Sequence, residues 1–339
     1  GRGTSGSRGF QILREFEKLG NTCTVVTSDS NLHAKPPNFK GFKFSQQVDC
    51  GTVIWLKTIK YSVPNSLMRI VSWLDFEIKL WFLSRTAYAS PDAIIVSSLS
   101  LLTILNGIRL KRKHKCKLVF EVRDIWPLTL IEEGNFKPKN PLIMLLAIIE
   151  KCGYKKADLI IGTMPNLTEH VNEVVGKRLN VHCIPMGIDA KQTLRIETVG
   201  KYKAPFKKED PFFNIVYAGT IGATNALETF LKAAERLSNI KEIKFFLIGN
   251  GPLKSKYQKQ FGHCQNIKFI PAIPKKRVIP TLEHADILYF STFNSKIWRF
   301  GQSLNKLIDY MMTDRPIVGS FSGYPSMLNE AQCGTYVPA

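Results

Sequence analysis

The chain has 339 residues, is 44% hydrophobic and 22% charged, and carries a formal net charge of +20. That is the make-up of a soluble globular protein of roughly two domains. Its seven cysteines are scattered without a Cys-x-x-Cys pair, which excludes a disulfide framework and suits reduced thiols in a cytosolic protein. The six histidines form no His-x-x-x-His or Cys/His cluster, so no metal site is expected. The longest apolar run, Leu142 to Ile149, is far short of the ~20 residues that span a bilayer. No signal peptide is read in the given sequence, which opens at Gly1 without a Met, so the natural N-terminus is expected to lie further upstream. The charge excess calls for an anionic partner, whether nucleic acid, acidic lipid or a phosphorylated substrate. Residues 1–203 hold 30 Lys+Arg against 17 Asp+Glu, and residues 204–339 hold 17 against 10, so the excess leans to the first part. The densest run, Arg109 to Lys117, also reads as a solvated helix end before a strand.

In chain order, Gly1 to Gly9 is glycine-rich and Phe10 to Leu19 has helical periodicity. Thr22 to Thr27, Val53 to Leu56, Ala93 to Val96, Leu118 to Val122, Leu159 to Ile161 and Val181 to Pro185 read as strands. Helices are predicted over 67–84, 101–109, 141–152 and 167–175. Lys191 to Asp210 is polar, lacks an apolar pattern, and reads as an interdomain linker. A second alternation follows. Strands fall at Asn214 to Ala218, Phe245 to Ile248, Ile267 to Ile270, Ile287 to Phe290, Pro316 to Val318 and Gly334 to Val337. Helices are predicted from Asn225, over 278–284 and over 304–312. Buried strands separated by helices predict an α/β fold of two tandem Rossmann-like domains facing a cleft, 1–203 and 204–339.

Three segments carry polar groups where such a fold places ligands. Ser303, Asn305, Lys306 and Asp309 cluster just ahead of an apolar helix. A lysine and a hydroxyl there can hold a diphosphate, and an acid one turn later can take two ribose hydroxyls. A nucleotide-activated sugar needs that chemistry; a polar helix start is the alternative. Gly219, Thr220 and Gly222 follow a strand, and glycine lets the backbone come close to a phosphate. An ordinary βα turn has the same look. Glu121, Arg123 and Asp124 end a strand and are expected to point into the cleft, unless they form a buried ion pair. The helix over 67–84 is apolar nearly all round, with Leu67, Ile70, Val71, Leu74, Ile78 and Trp81 as one stripe. It is either a core helix or a monotopic contact with a membrane, with Arg69, Lys79 and Arg85 suited to anionic headgroups.

In the order Phe120-Glu-Val-Arg-Asp-Ile-Trp-Pro127, Ile184-Pro-Met-Gly-Ile-Asp189, Tyr217-Ala-Gly-Thr-Ile-Gly222 and Ser303-Leu-Asn-Lys-Leu-Ile-Asp-Tyr310, the chain resembles family 4 of the retaining glycosyltransferases. These have the GT-B fold, and the likeness is to bacterial transferases of surface-polysaccharide assembly, including those similar to N-acetylfucosamine transferases. The resemblance implies a metal-independent transfer from a nucleotide sugar, expected to be a UDP-sugar, without a cofactor. The acceptor would be lipid-linked or an oligosaccharide, with peripheral contact to an anionic membrane on its cytoplasmic side. No nucleic-acid partner is expected. Against the family's pattern, an initial strand before the glycine-rich loop and a closing C-terminal helix are missing, so a chain truncated at both ends is expected.

The resemblance also assigns roles. Lys306 belongs to the donor phosphate, and Asn305 to the phosphate or the sugar. Asp309 is similar to the second acid of a Glu-x7-Glu pair, with Gly301 where the first acid would stand and Ser303 in the Ser-x-Asn-Lys arrangement of related sequences. The family's Arg and Lys after the first strand of the second domain have no counterpart in Thr220 to Asn225, so phosphate neutralisation falls to Lys306 and backbone amides. Arg123 stands where many relatives have a histidine against the transferred sugar, and could hold a phosphate. Asp124 could orient the acceptor hydroxyl, with Glu121 beside it. Gly6, Ser7 and Arg8 form a loop that in relatives approaches the acceptor or the diphosphate, and Met186, Gly187 and Asp189 line the cleft opposite.

Two other readings compete. A non-hydrolysing UDP-sugar epimerase would need cleft acids and histidines for proton transfer, and the few histidines lie mostly away from strand ends. A basic nucleic-acid binder would explain the charge, yet no helix-turn-helix, zinc finger or RNA-binding signature is present.

Overall fold

A computed structural model describes residues 8–30, 36–61, 67–83, 87–98, 100–188, 204–209, 211–325 and 327–339. The chain divides into two compact units, one of Gly1–Gly162 with Val171–His182, the other of Thr163–His170 with Cys183–Ala339.

The first unit holds two sheets. Strands β1 (Thr24–Ser28), β2 (Lys43–Val48) and β3 (Gly51–Leu56) form one, in the order β1-β3-β2. β1 runs parallel to β3, while β2 is antiparallel and pairs Lys43 with Leu56. The sequence reading missed β2, because Lys-Phe-Ser-Gln-Gln-Val is mostly polar and exposed; pairing with β3, not burial, makes it a strand. The other sheet has β4 (Ala93–Ser97), β5 (Lys117–Val122), β6 (Leu159–Gly162) and β7 (Val181–Cys183) in that order, with β4, β5 and β6 parallel.

The helices of this part are α1 (Arg8–Lys18), α2 (Leu67–Trp81), α3 (Thr103–His114), α4 (Leu128–Glu132), α5 (Pro141–Lys156) and α6 (Leu167–Val175). α5 starts where its sequence dictates: the Asn140 side chain accepts from the Leu142 N–H at 2.9 Å, and Pro141 takes the first position. α3 ends at Lys115 in the left-handed region, and Lys111, Arg112, Lys113 and His114 fill its last turn. Cations there suit the negative end of the helix dipole. The densest basic run is thus a helix end, with Lys111 paired to Asp158 at 2.7 Å.

α2 is not buried all round. Leu80, with Leu83 just beyond the helix, packs on Ile54 and Leu56. Ile70, Val71, Leu74, Ile78 and Trp81 face outward, with Ile78 58% exposed. α5 likewise exposes Leu142, Met144, Leu145 and Ile148. Among the described residues no helix is long and apolar enough to cross a membrane.

The second unit is built on one six-stranded sheet. Its strands are β8 (Phe213–Ala218), β9 (Ile243–Ile248), β10 (Ile267–Ile270), β11 (Ile287–Ser291), β12 (Ile317–Ser320) and β13 (Gly334–Val337). The order is β10-β9-β8-β11-β12-β13 with every neighbouring pair parallel. Both faces are covered. Val216, Ala218, Phe246, Leu288 and Phe290 enter one core, and Tyr217, Phe245, Leu247 and Tyr289 the other. The near-continuous apolar strands are those of a doubly wound sheet. Its strand order reverses between β8 and β11, and ligands of such sheets bind beyond the carboxyl ends of the strands at that point.

Helices α7 (Glu228–Arg236), α8 (Lys254–Phe261), α9 (Val278–Leu282) and α10 (Asn305–Met311) connect these strands. The helix expected from Asn225 is a 3₁₀ turn over Ala223–Asn225; Ala226 then adopts φ 41° and α7 begins at Glu228. Of the expected linker, residues 191–203 and 210 lie outside the described residues. Within 204–209, Phe206 is buried and stacks on Phe246 at 4.2 Å between ring centroids. One aromatic among lysines has no periodicity to announce it, so the reading as linker is corrected there.

Candidate functional site

The switch point between β8 and β11 is where the sequence-predicted residues of the second unit meet. β8 ends at Ala218 and the chain turns through Gly219, Thr220 and Gly222. Gly219 N–H donates to Ile248 O at 2.9 Å and Ile221 N–H to Asn250 O at 3.0 Å, so this turn is zipped to the one after β9. Ser291, at the end of β11, donates its hydroxyl to Asn225 O at 2.5 Å and straps the following 3₁₀ turn.

Lys306, in the first turn of α10, reaches into this turn. Its Nζ donates to the Tyr217 hydroxyl at 3.2 Å and to Asn225 Oδ1, and lies 4.8 Å from the centroid of the Tyr217 ring. The Tyr217 hydroxyl in turn donates to Thr220 O at 2.7 Å. A Cβ on Gly219 would stand 3.4 Å from Nζ, which places the amine directly over the glycine turn. Burial pulls the Lys306 amine down from its ordinary 10.5 to about 8. Holding a proton there in the ligand-free protein costs on the order of 3 kcal/mol, a cost an arriving anion would remove.

Asp309, one turn later and buried, is held by Lys275 at the start of the 3₁₀ turn Lys275–Arg277. Tyr310 fixes α10 to the sheet: its hydroxyl accepts from Ala218 N–H at 2.8 Å and lies 3.1 Å from Tyr289 O. Ser303 Oγ accepts from Met186 N–H at 2.7 Å, joining two segments that the sequence reading kept apart. Asn305 and Gly187 are exposed. Asp189 and Gly6 lie outside the described residues. α10 has only seven residues, so the electrostatics rest on Lys306 more than on helix amides.

Gly301, where an acid would complete the pair with Asp309, has φ +90°, and a Cβ there would meet Pro165 at 2.4 Å. An acid there would strain the backbone and have to displace Pro165, so this turn suits glycine. The neighbouring Gln302 is buried, and its amide has no hydrogen-bond partner among the described residues.

In the first unit, Glu121 is bound to Arg8 at 2.7 Å, both side chains buried. The two residues expected in separate roles form one ion pair. Removing one partner of such a pair leaves a charge stranded, so Glu121→Gln is expected to lower stability by about 3 kcal/mol, read as a fall in melting temperature. Arg123 and Asp124 follow at the end of β5. Ser98 Oγ accepts from Arg123 N–H at 2.9 Å and fixes this strand end. Asp124 reaches the surface yet sits in a recess dense in protein atoms, and that loss of water raises its carboxyl above the usual range; Arg123 and Arg69 pull it back. Glu133 is raised too, by burial and then by the charge of Asp124.

Sequence reasoning missed Tyr217, Asn225 and Lys275, each brought to its partner by the sheet. It also found no metal-ligand spacing, whereas the fold brings donor atoms of Glu235, His263 and Cys264 within 4.8 Å of one another. That cluster lies at the end of α7 and the start of β10, the amino side of the sheet, away from Lys306.

Residues 213–339 match the family of glycosyl transferases group 1. No curated protein matches the sequence. Among solved structures, the chain is similar to a sucrose-phosphate synthase from Thermosynechococcus elongatus, with 13% identity and a TM-score of 0.63 over 98% of this chain and 80% of that one. It is also similar to a UDP-forming alpha,alpha-trehalose-phosphate synthase from Burkholderia xenovorans, with 11% identity and a TM-score of 0.63 over 93% and 82%. A third is the Anabaena protein Alr3699/HepE in complex with UDP and glucose, with 14% identity and a TM-score of 0.51 over 84% and 72%. Likenesses at identities this low show the fold alone, here GT-B, and residues 213–339 are the part that matches the glycosyl transferases group 1 family.

Proposed function

We propose that the chain is a retaining, metal-independent glycosyltransferase that moves a sugar from a UDP-sugar to a lipid-linked or polysaccharide acceptor in surface-polysaccharide assembly. Residues 1–203 would bind the acceptor and 204–339 the donor. The observation that carries this reading is the buried Lys306 amine over the Gly219–Gly222 turn, at the switch point of a doubly wound sheet. A lysine there neutralises the charge that grows on the departing diphosphate, and needs no protein nucleophile to do so. Thr220 and Gly222 line the phosphate path, with Ser303 and Asn305 beside it. Asp309 takes the ribose hydroxyls once Lys275 releases it. Arg123 and Asp124 serve the acceptor. The Anabaena structure with UDP and glucose supports UDP as the nucleotide. The exposed stripes of α2 and α5, in the more basic part of the chain, support peripheral contact with an anionic membrane from the cytoplasmic side. The N-acetylfucosamine-transferase-like specificity stays within this proposal.

Calorimetric titration with UDP, GDP and a short RNA tests it. Saturable UDP binding, weakened at least about tenfold by Lys306→Ala and by Asp309→Ala, is the expected result. RNA binding that fades with salt, and no nucleotide binding, would overturn it.

A further inference from the structure

Three side chains far from Lys306 carry metal-ligand chemistry. Glu235 stands one residue before the end of α7, and His263 and Cys264 lie between α8 and β10. His263 Nε2 is 3.2 Å from Glu235 Oε1 and 3.4 Å from Cys264 Sγ. The donor atoms of all three fall within 4.8 Å of one another. A zinc ion about 2.0 Å from nitrogen and oxygen and about 2.3 Å from sulfur gives tetrahedral edges of about 3.3 Å for N···O and about 3.5 Å for N···S. Two edges of that tetrahedron are already in place. The backbone sets them. Cys264 is buried in the core with Leu231, Ala234 and Phe261. Its N–H donates to Phe261 O at 3.1 Å, and its carbonyl accepts from Ile267 N–H at 3.2 Å. The buried Asn266 side chain donates to Ala234 O at 2.7 Å, which pins this loop to α7 one residue before Glu235. On the outer side, the Glu235 and His263 side chains are 45% and 65% exposed. An ion therefore has a path in, and the Glu235 carboxylate is free to turn and close the third edge.

We infer that Glu235, His263 and Cys264 bind a divalent transition-metal ion of the zinc class, with water in the fourth position, as a clip between the end of α7 and the start of β10. This is independent of the transferase reading. The cluster lies at the amino side of the sheet, and the Gly219–Gly222 turn at its carboxyl side. The donor set selects the ion: a thiolate and an imidazole suit zinc and its neighbours, whereas magnesium and calcium take oxygen ligands. A surface ion pair would involve Glu235 and His263 alone, and would not call for a buried sulfur beside the same ring nitrogen. In the ion's absence, burial and then the charge of Glu235 hold the Cys264 thiol above its ordinary value. On binding, the thiol proton passes to solvent, the metal–sulfur bond forms, and the cation offsets the Glu235 carboxylate. The unfolded chain holds no such preformed site, so the clip stabilises the folded state.

Zinc titration of the untagged full chain in competition with a chromophoric chelator, followed by cobalt(II) absorption spectra, tests this. The expected result is one zinc per chain, with affinity lowered at least about tenfold by Glu235→Gln and by His263→Gln. Both positions are exposed, so these variants keep the fold where Cys264→Ser risks the core. Cobalt(II) should give the visible bands of tetrahedral coordination and a near-ultraviolet thiolate band, and Cys264→Ser should remove the latter. Saturating zinc should raise the wild-type melting temperature by a few degrees and leave that of His263→Gln unchanged. Absence of zinc binding, wild-type zinc affinity in Glu235→Gln and His263→Gln, or a cobalt complex without the thiolate band would overturn the inference.

Discussion

Lys306→Met is expected to stabilise the ligand-free protein while removing most of its affinity for UDP. The wild-type amine is buried over the glycine turn and pulled down to about 8. An apolar chain of similar length avoids the cost of keeping it charged, less the hydrogen bond lost by Asn225. A gain of about 1–2 kcal/mol, or a few degrees in melting temperature, should result. Affinity should fall about a hundredfold, because a charge-assisted contact in a poorly hydrated site is lost. The sign of the pH effect follows. The folded-state value lies below the unfolded one, so the cost is fully present below about pH 8 and shrinks as pH rises towards about 10.5. The stability gap between variant and wild type should close over that window, which thermal melts across pH would show.

The second large effect is at Gly249. It has φ +151°, and a Cβ there would stand 1.9 Å from Gly219 O. Gly219 N–H also donates to Ile248 O, the residue before Gly249, so the two turns are held tightly together. Gly249→Ala must therefore displace the Gly219–Gly222 turn itself. A loss of about 3 kcal/mol in stability and about a hundredfold in UDP affinity is expected, since backbone strain and a misplaced cradle act together. Gly187→Ala is the control: nothing lies within 4 Å of its added Cβ, and both properties should hold. Chemical denaturation and calorimetry on the two variants make the comparison.

The sequence announced the alternation of strands and helices because buried parallel strands are apolar throughout. Strand order is another matter. The reversal between β8 and β11 is made by pairings such as Ile287 with Ile215, which leave no mark on local pattern. Polar elements were also missed. β2 is mostly exposed, and α8, Lys-Ser-Lys-Tyr-Gln-Lys-Gln-Phe, buries only Tyr257 and Phe261. At the site, Lys306 and Gly219 stood out by type and neighbours. The groups that tune them did not. Tyr217 and Asn225 lie 89 and 81 residues from Lys306, and Lys275 lies 34 from Asp309. Gly301 was legible as a departure, and the close contact with Pro165 that suits it to glycine only in the fold.

The most direct test of the central claim, that Lys306 is a desolvated cation awaiting a diphosphate, is UDP affinity by calorimetry from about pH 6.5 to about pH 9.5, for wild type and Lys306→Met. A bound diphosphate holds the proton on the amine, so wild-type affinity should be flat below about pH 7 and fall by up to about tenfold per unit above pH 8, with proton uptake on binding. The variant should bind weakly and without that slope. A wild-type profile that stays flat through this range, or a variant with the same slope, would contradict the account.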